Sequence, residues 1–143
     1  MSKFLKFFTK QQQRDLVNDL FGYKEYAAIL TQTGTSAPVA TVLNSKSPNY
    51  LGDIIWTRND IGDYTGTLNN SFKDGKTVCV VSVNGNGEDG RTSLHTCVYN
   101  NTNSIALRTG WLNPDENQLA EVVVALDFSG CAVKLNVLIK VYN

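Results

Sequence analysis

Along most of this chain apolar and polar residues alternate with a period of two, and only near the start does the period lengthen to that of a helix. Leu16, Val17, Leu20 and Phe21 recur at spacings that put them on one helical face. Thr9 and Gln12 ahead of them have the spacing of a capping box, and Gly22 follows where a C′ glycine belongs. The pattern predicts an amphipathic helix over about residues 10–21.

After Gly22 the period becomes that of strands. Tyr26, Ala28 and Leu30 are expected to face one way, with Glu25, Ala27 and Ile29 on the other side. Thr33–Pro38 has turn chemistry and leads into a strand over Val39–Leu43. A loop over Asn44–Gly52 precedes a hairpin, Ile54–Arg58 and Asp63–Leu68, joined by Asn59-Asp60-Ile61-Gly62. Past a turn at Lys73–Lys76, Thr77–Val83 is nearly continuous in apolar residues, the pattern of a strand covered on both faces. A Gly-rich loop, Asn84–Gly90, leads to a returning strand at Arg91–Tyr99, a turn at Asn100–Asn103 and a strand at Ser104–Arg108. Trp111–Asn117 is expected to be a polar excursion broken by Pro114. Leu119–Ala125 admits helix or strand, and its β-branched Val122–Val124 favours strand. Ala132–Tyr142 closes the chain; so flat and unprotected a strand must lie in the middle of its sheet or be covered by a neighbouring subunit.

Frequent short strands without alternating helices point to a mainly β chain: an antiparallel β-sandwich, jelly-roll-like or Ig-like, with the short N-terminal helix outside it. The organisation expected is a docking arm over residues 1–22 and a β-sandwich domain over residues 23–143.

Composition narrows the function classes. Only 18% of residues are charged, against about 25% in ordinary domains, which suits β structure exposed to solvent or to a partner subunit. The formal net charge is zero, so no global field draws the chain to nucleic acid or anionic lipid. At the start, Lys6 interrupts the apolar run of Phe4, Leu5, Phe7 and Phe8, so the uninterrupted core of a secretory signal is missing and synthesis in a cytoplasm is expected.

Candidate chemistry is sparse. Gly85-Asn86-Gly87-Glu88-Asp89-Gly90 matches G-x-G-x-x-G, but a strand-like run follows where a phosphate site needs a helix, and two acids would repel the phosphate. His95 and Cys97 share a strand face without the surroundings of a thiol nucleophile. The acids Asp53, Asp60, Asp63, Asp115 and Glu116 fall mostly in turns. Cys79, Cys97 and Cys131 lack the close spacing of metal ligands and read as buried thiols. No enzyme activity, catalytic residue, metal or cofactor is expected. Trp56, Tyr64, Tyr99 and Trp111 are the aromatics that offer stacking faces to a sugar, and Trp111 is the best candidate for an exposed ligand contact. In the arm, Phe4, Leu5, Phe8, Leu16, Val17, Leu20 and Phe21 are the expected partner-docking residues, with packing of the helix on its own sandwich the second reading and membrane contact the third.

The stretches YKEYAAILTQTGTSAPVATVL and GDIIWTRNDIGDYTGTLNNSF, with the ending LNVLIKVYN, resemble small β-rich virion proteins encoded by phages and prophages of Bacteroidetes-type bacteria. The resemblance implies a place in the virion, as a capsid decoration, head fibre, neck or tail component, and assembly with other virion proteins and with itself, three-fold by preference. The alternative class is a carbohydrate-binding module at the receptor-contacting end of a fibre, meeting a host-surface glycan.

Overall fold

Thr9 and Gln12 close the capping box that their spacing predicts: the Thr9 amide donates to Gln12 Oε1 at 2.9 Å, and the Gln12 amide donates to Thr9 Oγ1 at 3.2 Å. The helix they start, α1 (Lys10–Phe21), ends at Gly22, whose φ of 71° lies in the left-handed region that glycine enters without steric cost. The Gly22 carbonyl then accepts the Asn143 amide at 3.1 Å. A computed structural model describes residues 8–84, 93–113, 122–125, 127 and 134–143.

The remaining elements are strands: β1 (Tyr23–Thr31), β2 (Val39–Val42), β3 (Ile55–Asp60), β4 (Asp63–Thr67), β5 (Thr77–Asn84), β6 (Ser93–Asn101), β7 (Ser104–Asn113), β8 (Val122–Ala125) and β9 (Lys134–Tyr142). The chain is therefore mainly β, and its described residues form one short helix preceding two antiparallel sheets. The first sheet runs β2-β1-β9-β5; the second runs β3-β4-β7-β6, with β8 also paired to β7. Strand β9, the flat closing run, is central, between β1 and β5.

Both sheets feed one apolar cluster. Tyr26, Ala28, Leu30, Leu135, Val137, Ile139 and Val141 enter it from the first sheet, and Trp56, Tyr64, Cys97, Ile105 and Leu107 from the second. The alternation along β1 and β9 dictates this, because every second side chain of a strand turns to the same side. Gly66 of β4 sits where no side chain fits: a Cβ there would lie 2.9 Å from Ile54 Cγ2 and 3.1 Å from the Trp56 ring.

Three expectations need correction. Thr77–Val83 is not covered on both faces: β5 is an edge strand, and Val78 and Val80 are 48% and 51% exposed. Trp111 does not begin a loop but continues β7, paired in register with Ser93 and Val124; the rest of the expected excursion, 114–117, lies outside the described residues. Asn59 and Asp60 belong to β3, which leaves Ile61-Gly62 as the whole turn. A bulge between Arg58 and Asp60 absorbs the difference.

Where β2 stops, the edge of β1 is still occupied. Asn44 takes the Ala27 amide at 2.9 Å and gives its Nδ2 to the Glu25 carbonyl at 3.0 Å. Asn49 and Leu51 then hydrogen-bond Glu25 through their backbones at 2.8 Å each. Side chain and loop thus complete the ladder that a short neighbour leaves open.

Candidate functional site

Strand β7 is long enough to hold two neighbours on one side. Strand β4 pairs with its first half, Ser104–Arg108, and β8 with its second half, Gly110–Asn113. Asp127 follows β8 and falls at the joint. Its Oδ1 accepts the Gly62 amide at 2.9 Å and the Tyr64 hydroxyl at 2.7 Å, while Arg58 Nε lies 3.2 Å from Oδ1 and 3.0 Å from Oδ2. The same tyrosine hydroxyl lies 2.8 Å from Gln32 Oε1, which brings β1's end into the cluster. Burial works against the Asp127 charge, but the Gly62, Tyr64 and Arg58 donors outweigh it and hold the carboxyl below its ordinary range. Gly62 has φ 65°, and its carbonyl accepts the Thr109 amide at 2.9 Å, so the turn is clamped on both sides. A carboxylate so fully engaged acts as a fixed pin rather than a proton carrier.

Asp127 did not figure among the acids singled out from the sequence. Its signal was a lone acid directly after the apolar run Val122–Leu126. An acid in such a place stays ionised only when donors come to it from elsewhere in the chain.

His95 and Cys97 are not hydrogen-bonded to each other. Both His95 ring nitrogens are buried without a hydrogen-bond partner, and burial holds the imidazole below its ordinary pKa. Cys97 instead meets Cys79 across the two sheets. This contact lowers the Cys79 thiol, and the same contact together with burial pushes Cys97 well up. Both cysteines are free thiols, as the sequence suggested. Cys131 and the Gly85–Gly90 motif lie outside the described residues.

The aromatics separate by face. Trp56 and Tyr64 are core residues and Tyr99 packs against the core, so none of the three presents an open stacking face. The concave part of the second sheet's outer surface is instead a groove of about 460 Å³ lined by Ile61, Asp63, Leu94, Thr96, Arg108 and Gly110.

The expected docking residues of the arm divide likewise. Phe4 and Leu5 lie outside the described residues. Phe8 and Leu16 are half-buried, Val17 lies within α1, and Leu20 and Phe21 are 76% and 47% exposed. Gln11, Arg14 and Asp15 of the helix border a small cleft with Lys24, Pro48 and Tyr50, so a polar side of α1 adjoins the sheets. Phe21 meets the Tyr23 ring edge-on at 6.4 Å, and Tyr23 in turn packs on Tyr142 at 5.6 Å with Lys140 Nζ 4.4 Å above its ring. The exposed end of the helix is thereby continuous with the outer face of the first sheet. Comparison with protein families, curated proteins and solved structures finds no match to this chain.

Proposed function

We propose that this chain is a non-enzymatic structural component of a bacteriophage virion, a capsid decoration, head fibre, neck or tail protein. In this reading its two sheets form an antiparallel sandwich, jelly-roll-like or Ig-like, that assembles with copies of itself. Residues 1–22 tether it to other virion proteins. The virion context comes from the resemblance of the β1–β4 region and β9 to phage-encoded β proteins. The observation that carries the docking role is the exposure of Leu20 and Phe21 at the end of a capped helix whose polar side adjoins the sheets. Apolar side chains left in water on an ordered element are the usual mark of a surface that meets a partner.

Deleting residues 1–22 tests this. The expected product is a folded β domain that no longer joins particles. A truncated chain that is incorporated normally, or that loses its cooperative melt, contradicts the docking role.

A glycan-contacting module of a fibre is the second reading. The groove on the second sheet favours it, because Arg108, Asp63 and Thr96 line it beside apolar Ile61 and Leu94. Glycan-array binding that is lost on Arg108→Ala would select it.

A further inference from the structure

The outer face of the first sheet carries a continuous apolar row where a solvated sheet face is normally polar. The strand registers lay it out in rows. Leu43 is bonded to Ala27 through its backbone, Ala27 pairs with Leu138, and Leu138 pairs with Val80. This row crosses the whole sheet without a polar side chain. On one side of it Ile29 stands between Thr41 and Asn136, whose amide donates to Ser82 Oγ at 3.2 Å, and on the other Glu25 pairs with Lys140, which pairs with Val78. Leu43, Val80 and Val78 are 63%, 51% and 48% exposed, and Ala27, Ile29 and Leu138 are half-buried. The alternate residues of the same strands, Ala28, Val137, Ile139 and Cys79 among them, pack in or against the core, so this second apolar face is not a share of it.

We propose that a second copy of this chain packs on this face, about a two-fold axis parallel to the strands and running between β1 and β9. Such an axis exchanges the positions of β1 and β9, so each residue meets the residue that is its own cross-strand partner in the register. Glu25 of one copy then lies over Lys140 of the other, and Lys140 over Glu25. Small Ala27 lies opposite Leu138, which gives each leucine a shallow site to fill, and Tyr23 lies opposite Tyr142. In these rows charge and size are therefore complementary to themselves, as an isologous contact requires, while Ile29 over Asn136 adds no such match. A net charge of zero adds no repulsion between copies. Stacked sheets twist relative to one another, so the central pairs β1 and β9 make the closest contacts while β2 and β5 splay at the rim. This deepens the self-assembly part of the proposed function, on which it rests, and makes the contact two-fold where the resemblance implies three-fold order.

The test is sedimentation equilibrium on the full chain and on Glu25→Lys and Lys140→Glu. The wild type is expected at twice 15.7 kDa. Each variant alone brings like charges together across the axis and should weaken self-association by roughly tenfold or more. An equal mixture of the two should recover the paired species, because every charge then meets its opposite. Val80→Glu, at an exposed position, should also separate the copies and guards against a charge variant that folds poorly. A wild-type monomer at high concentration overturns both the inference and self-assembly in solution. An oligomer indifferent to all three substitutions overturns the inference alone and leaves self-assembly through another surface standing.

Discussion

Trp56 and Tyr26 join the two sheets through the middle of the core: the indole Nε1 donates to the Tyr26 hydroxyl at 3.2 Å, with both residues 5% exposed or less. Each supplies a large apolar surface to the sheet opposite and the polar partner that the other needs when buried. Burial pushes the Tyr26 hydroxyl up from its ordinary pKa, so it stays neutral and available as an acceptor.

Tyr26→Phe removes that acceptor and leaves a buried indole N–H unpaired, at a cost of about 1–3 kcal/mol. Tyr142→Phe, at an exposed ring, should stay within about 0.5 kcal/mol of the wild type. Urea unfolding of the two variants checks the contrast, and equal losses would refute it.

Gly66→Ala forces a methyl into the space held by Ile54, Ile105 and Trp56. Overpacking of this kind costs about 1–3 kcal/mol. A melt indistinguishable from the wild type would mean that the sheets separate more easily than their shared core implies.

Acid should weaken the fold in two separate windows. Burial holds His95 below 6.5, so the folded state keeps it neutral while the unfolded chain binds a proton. Its contribution is complete above pH 6.5 and is lost as pH falls from there to the folded pKa. Asp127 is held below 3.8, so its contribution is present above that value and is lost as pH drops further. His95→Phe, which removes the orphaned nitrogens, should abolish the first slope without loss of stability at neutral pH. Asp127→Asn should flatten the second and cost about 3 kcal/mol, because it leaves Arg58 mostly buried without its counter-charge. Unfolding free energies measured from pH 7 down to about pH 2 decide both, and slopes that survive the substitutions would contradict the assignment.

The core was legible where burial alternates along a strand. Tyr26, Ala28 and Leu30 carry that record in their spacing, and β9 repeats it. Val78 and Val80 show where the same code fails: an apolar side chain reads alike whether it faces a core or lies exposed on an edge strand. The helix was legible to its ends because Thr9, Gln12 and Gly22 are local signals. Asp127 was not, because its donors Arg58, Gly62 and Tyr64 lie 69, 65 and 63 residues away along the chain. Such a pin exists only once β8 is laid beside β4 along β7.

The most direct test of the proposed virion role is quantitative mass spectrometry of phage particles purified from cells that express this chain. The account predicts that the chain is present in many copies, in constant ratio to the major capsid or tail protein. Its absence from particles, with the chain abundant in the infected-cell lysate, would contradict a structural role.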